Sequence, residues 1–245
     1  EILDSLEELG CLPQDLPLII PEDSIILVKG TRKAQMERFA TRFRAKQHQT
    51  VLEINVTNLR NNLAFYKSTL AEGTRLLAMV KAQSYGTGLV EMARILEAQG
   101  IDYLGVAYTS EGVSLRNNGV KLPILVLNPD PESYEECINH QLEPTVFTFA
   151  QLDRLIRDLI FHGAQQFPIH VEIDTGMRRL GFEPSEIKML IERVKAQPEV
   201  RLKSVFTHFI ESENLTDTSP SLQQIEVFTS VRNTVLDAFS YPVLF

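Results

Sequence analysis

Ala78-Met79-Val80-Lys81-Ala82-Gln83-Ser84-Tyr85-Gly86-Thr87-Gly88 decides how the chain is read: an apolar run delivers one lysine to its end, just before a glycine-bracketed helix start. Parallel α/β sheets do their chemistry at such strand-to-helix junctions. A lysine amine attacks an aldehyde only when it is partly desolvated or beside another cation, and the rim of a buried sheet supplies both conditions. A lysine that ends a strand is more often a solvated surface residue, so this run alone leaves both readings open. Gly86 and Gly88 likewise either cradle a phosphate or only permit a tight turn.

Outward from this run, from about residue 74, β-branched stretches alternate with amphipathic helical patterns. Strands are expected at 75–81, 103–107, 123–127, 143–146, 168–173, 201–206 and, as a last fragment, 242–245. Helices are expected at 88–99, 110–118, 132–139, 149–162, 184–196 and 220–239. That order predicts a parallel sheet with right-handed crossovers, which either closes into a barrel or stays open and doubly wound. No Gly-x-Gly-x-x-Gly follows the first strand, so the dinucleotide-binding open sheet loses its main support. The expected fold class is therefore α/β, a TIM-type (β/α)8 barrel, truncated near strand 7 because one unit too few is present.

The first fifty residues read differently. A helix at 2–9, a connection through Pro13, Pro17 and Pro21, a strand at 25–29 and a basic helix ending near Lys46 make a short α/β N-terminal appendage. The polar stretch Lys46-Gln47-His48-Gln49 reads as a linker. Residues 50–56 then read as a strand with Leu52, Ile54 and Val56 alternating, and Thr57 as the cap of a helix through residue 70.

Composition excludes several function classes. The chain has 245 residues, 44% hydrophobic content and a formal net charge of −8, enough for a large core and without the basic block that phosphate-backbone binding needs, so nucleic acid is not an expected partner. No stretch approaches the roughly twenty apolar residues of a membrane helix, and the first residues lack a signal-peptide pattern. Cys11 and Cys137 form no Cys-x-x-Cys pair, which fits a reducing compartment and places the expected home in the cytoplasm.

Two further runs carry chemistry-bearing residues. Val171-Glu172-Ile173-Asp174-Thr175-Gly176-Met177-Arg178-Arg179-Leu180-Gly181-Phe182 places two arginines in a glycine-flexed loop after a strand. A guanidinium there either grips a substrate carboxylate in a two-pronged hydrogen bond or pairs with a surface acid, and Asp174 either caps the loop or acts in catalysis. Ser204-Val205-Phe206-Thr207-His208-Phe209 puts His208 just past an apolar strand, on the same carboxyl-end rim as Lys81 if the sheet is a barrel. His48, His140, His162 and His170 show no metal-ligand spacing, and no metal site is expected.

Together these runs resemble the N-terminal barrel of alanine racemase, whose lysine motif reads approximately Val-Val-Lys-Ala-Asn-Ala-Tyr-Gly-His-Gly. Asp102-Tyr103-Leu104-Gly105-Val106-Ala107, the segment 111–116, Pro123-Ile124-Leu125-Val126-Leu127, Pro144-Thr145-Val146, the loop 174–181 and Thr207-His208-Phe209 all fall in family order. The resemblance runs from about residue 50 to 245, the expected barrel domain. It implies a cytoplasmic isomerase that uses pyridoxal 5'-phosphate to interconvert L- and D-alanine for bacterial peptidoglycan, as a homodimer in the full-length protein. It assigns Lys81 as the catalytic amine that holds the cofactor and exchanges the α-proton on one face. Tyr85 matches the tyrosine on the cofactor phosphate, Arg179 the arginine near the cofactor's phenolic oxygen and the substrate carboxylate, and His208 the histidine beside the pyridine ring. Departures are Gln83 for asparagine, Thr87 for histidine and Arg178 where glycine is common. The family's opposite base and the arginine facing the pyridine nitrogen belong to downstream segments, so the 245-residue chain by itself is expected to be poorly active.

The head of the chain resembles another family. Asp23-Ser24-Ile25-Ile26-Leu27-Val28-Lys29-Gly30-Thr31-Arg32, with Met36-Glu37, looks like the C-terminal tail of the ligase that adds D-alanyl-D-alanine to the UDP-muramoyl tripeptide. Residues 1–46 are thus expected to be a ligase remnant and linker in a ligase–racemase fusion. The alternative function is a non-catalytic pyridoxal-phosphate carrier barrel or a ligase-tethered scaffold, neither of which needs Arg179 for a substrate carboxylate.

Overall fold

The computed structural model describes residues 52–214 and 216–245. The expectations placed on residues 1–51, the ligase tail and linker among them, lie outside the described residues.

The chain enters through α1 (Val56–Thr69), then runs β1 (Leu77–Met79), α2 (Leu89–Ala98), β2 (Tyr103–Val106), α3 (Thr109–Asn117) and β3 (Ile124–Val126). It continues through α4 (Tyr134–Asn139), β4 (Glu143–Val146), α5 (Phe149–Phe161), β5 (Phe167–Glu172), α6 (Ile187–Lys195), β6 (Val200–Phe206) and α7 (Ser219–Ala238). All six strands are parallel, and each pairs with the next in sequence. A doubly wound sheet must reverse its strand order at a switch point. Here the order never reverses, which is how a (β/α) barrel winds. A seventh position begins beside β6, where Leu244 bridges Ser204, donates to the Lys203 carbonyl at 3.0 Å and accepts the Val205 amide at 2.9 Å.

Local sequence explains the elements. In α5, Leu152, Leu155, Ile156 and Leu159 are buried at the i, i+3, i+4, i+7 spacing of one helical face. Its start is fixed reciprocally: the Thr148 hydroxyl accepts the Gln151 amide at 3.2 Å, and the Gln151 side chain accepts the Phe147 amide at 3.1 Å. In α6, Ile187, Leu190, Ile191 and Val194 repeat the spacing. β2 and β3 are buried at every position, as strands covered on both faces must be. Two apolar clusters form the core, one centred on β1–β3 and the other on β4–β6.

Three sequence expectations are corrected. Residues 52–55 form no strand and Val56 already opens α1, while the cap is Asn55, whose Oδ1 accepts the Asn58 amide at 3.0 Å, and not Thr57. Leu52 and Ile54 are exposed, so their alternation has no buried face to serve. The first strand stops at Met79 instead of reaching Lys81, because the backbone turns left-handed straight after the lysine.

Candidate active site

Lys81 follows the carboxyl end of β1, Arg179 lies in the loop after β5, and His208 stands two residues past β6. All three line one cavity of about 920 Å3 along the inner face of the sheet. That volume lies within the ~300–1,000 Å3 typical of small-molecule sites. Their proximity has an electrostatic signature: burial lowers the His208 pKa below 6.5, and the positive charges of Arg179 and Lys81 lower it further. The imidazole is therefore neutral at pH 7, presenting one acceptor and one donor nitrogen beside two cations.

The lysine turn is unusual. Ala82, Gln83, Ser84 and Tyr85 all have positive φ, between 51° and 56°, a left-handed run of non-glycine residues. Each such residue costs about 1–2 kcal/mol in isolation, so the surroundings must hold it. The Ser84 amide and hydroxyl both donate to the Val80 carbonyl, at 3.1 and 3.2 Å. From outside the turn, the Glu111 carboxylate on α3 accepts the Ala82 amide at 2.7 Å. Gly86 and Gly88, at φ 95° and 94°, complete the exit into α2, which supports the tight-turn reading of those glycines.

The arginine loop folds back on its own strand. Asp174 donates its amide to the Phe182 carbonyl at 3.0 Å, and the Phe182 amide donates to the Glu172 carbonyl at 2.9 Å. Gly181, at φ +124°, permits the return, since a Cβ there would sit 2.7 Å from the Ile173 carbonyl carbon. Asp174 Oδ1 accepts the Gly176 and Arg178 amides, both at 2.9 Å, so the aspartate caps the loop. Arg178 is left-handed at φ 56°, and its backbone is nonetheless held by that cap.

Gln224 on α7 is buried and ties this loop to the histidine. Its Nε2 donates to Thr175 Oγ1 at 3.0 Å and to the His208 carbonyl at 2.9 Å, and its Oε1 accepts the Ile210 amide at 3.0 Å. Glu172 lines the same cavity, buried; desolvation raises its pKa, Arg179 pulls it down and Asp174 pushes it up. Deeper in the cavity, His170 lies between Glu143 Oε2 at 2.7 Å and Ser204 Oγ at 2.6 Å, with Tyr103 edge-on to its ring. Tyr85 is the site residue that the structure does not bring to the cavity wall: its side chain is 71% exposed. Glu111, Gln224 and Glu172 were not singled out from sequence; Glu111 and Gln224 act across 29 to 49 positions, beyond any local pattern.

A parallel α/β barrel sheet that gathers an amine, a guanidinium and an imidazole at its carboxyl-end rim defines a class: a small-molecule site built for amine and carboxylate chemistry. The particular relation follows from comparison, for residues 54–243 match the family model "Alanine racemase, N-terminal domain", and the chain belongs to that family. An alanine racemase of Sorangium cellulosum is 33% identical over 188 residues, 74% of this chain and 49% of that protein. Alanine racemase 1 of Oceanobacillus iheyensis is 31% identical over 194 residues, 78% and 51% respectively. The chain thus spans about half the length of the curated relatives it matches. Among solved structures, the alanine racemase of Clostridium difficile 630 superposes with a TM-score of 0.74 at 31% identity, covering 80% of this chain and 56% of that one.

Proposed function

We propose that the chain is the cofactor-binding barrel of an alanine racemase, interconverting L- and D-alanine with pyridoxal 5'-phosphate. The observation that carries this reading is the convergence of Lys81, Arg179 and His208, from three separate strand ends, on one cavity. The donor set suits the cofactor, since an aldehyde needs an amine, a phenolic oxygen needs a cation, and a pyridine ring needs a flat neutral neighbour. When bound, pyridoxal 5'-phosphate supplies an electron sink that renders the α-proton of an amino acid acidic.

The chain's own residues do the rest. The Lys81 amine would hold the cofactor through its aldehyde carbon, with water as the leaving group, and, once displaced by the substrate's amine, would take up and return the α-proton on its own face. Arg179 would neutralise the phenolic oxygen and orient the substrate carboxylate, and its positive charge adds to the burial that favours unprotonated His208. Neutral His208 would sit beside the ring without adding charge. Tyr85 is assigned to the phosphate on its place in the lysine motif. Residues 1–46 we assign to a ligase tail and linker and residues 50–245 to the barrel, in a cytoplasmic fusion protein whose full-length form is a homodimer.

Titrating the chain with pyridoxal phosphate tests the reading: a visible absorption band distinct from the free aldehyde, absent in Lys81→Ala and perturbed by added alanine, is the expected result. A band of equal strength in Lys81→Ala overturns it.

A further inference from the structure

Glu111, in the first turn of α3, joins the lysine turn to the end of the neighbouring strand. Its Oε1 accepts the Ala82 amide at 2.7 Å, while its Oε2 accepts the amides of Ala107 at 2.8 Å and Tyr108 at 3.3 Å. We infer that Glu111 is a positioning residue for the Lys81 amine, acting through the peptide bond between residues 81 and 82. The inference rests on the reading above that Lys81 is the reactive amine.

A planar peptide whose N–H direction is held loses part of its rotational freedom, which restrains the direction in which the Lys81 backbone leaves the turn. Ala82 is left-handed, φ 53° and ψ 48°, and Ser84 secures only the far side of the turn, to Val80. Beyond Val80, whose amide donates to the Gly105 carbonyl at 2.8 Å, the turn is held from outside at the Ala82 amide. A helix cap alone would require only the contacts to residues 107 and 108, for which one oxygen suffices. The second oxygen, turned across 29 positions to Ala82, is unnecessary for capping α3. Two sets of N–H donors on opposite oxygens also require a carboxylate: the amide of a glutamine offers one acceptor and presents its own donors to the other set.

The test uses the full 245-residue chain, borohydride reduction in the presence of graded pyridoxal phosphate, and mass spectrometry of the Lys81 peptide. Glu111→Gln raises the half-saturating concentration for trapping at Lys81 roughly tenfold, the scale of one lost charge-assisted hydrogen bond, with far-UV circular dichroism unchanged. Half-saturation within twofold of the unsubstituted chain, in a control set where Lys81→Ala loses most of the adduct read as whole-chain mass, overturns the inference alone. Equal whole-chain incorporation in Lys81→Ala overturns the reading of the site itself. In the unsubstituted chain without cofactor, the Ala82 amide exchanges with solvent deuterium slowly; exchange at the free-peptide rate overturns the inference independently of any variant.

Discussion

At the scale of single residues, His208 reports the site's electrostatics directly. Burial and the two neighbouring cations favour its neutral form, so an NMR titration of the cofactor-free chain places its midpoint below 6.5. Arg179→Met moves that midpoint upward; an unmoved midpoint would show that the guanidinium does not face the imidazole. Because the folded state disfavours the proton, this histidine costs stability as pH falls below 6.5 and costs none above. Glu172 has the opposite sign: its carboxyl is raised by burial, so the folded state holds its proton more tightly and stability declines as pH rises through the folded value. Glu172→Gln therefore raises the Tm at pH 8, and the gap closes below about pH 4. A Tm lowered at pH 8 would mean that Arg179 more than offsets the desolvation. The placement of Lys81, Arg179 and His208 just past apolar strands was legible in sequence, whereas their roles were read only from the family resemblance. Tyr85 was legible only as part of a motif, and its exposed position could not be read from spacing, since Ala82-Gln83-Ser84-Tyr85 contains no residue that announces a left-handed backbone.

Secondary-structure elements position these residues through loops that close on their own strands. Gly181→Ala forces a side chain to φ +124° and against the Ile173 backbone, and should lower stability by about 1–3 kcal/mol in a urea titration while displacing the Arg179 loop. An unchanged midpoint would mean that the loop does not fold back as described. The sequence pattern located the strands at β4 without error and elsewhere within one or two residues. It failed at residues 52–56, where alternation mimicked a strand; Asn55 supplies a helix cap there, and no described strand lies alongside to complete a ladder. The contacts of Glu111 and Gln224 were invisible because helices distant in sequence carry them to loops at the sheet's rim.

Across the whole molecule, the sheet is held by helices whose apolar stripes face it, and the site depends on that packing. Leu155, fully buried in the cluster around β4–β6, loses about 2–5 kcal/mol on substitution by alanine, read as a shift of the chemical-denaturation midpoint. A loss under 1 kcal/mol would mean that this half of the core is loosely packed. The strict β1-to-β6 order brings residues 81, 179 and 208 to one rim although 127 positions separate the first from the last. The most direct test of that convergence is chemical: reduce the chain with borohydride in the presence of pyridoxal phosphate and map the modified peptides. One dominant adduct is expected, on Lys81, lost when Arg179 or the cavity is disrupted; modification spread evenly over the surface lysines, with Lys81 no more reactive than the rest, would contradict that convergence.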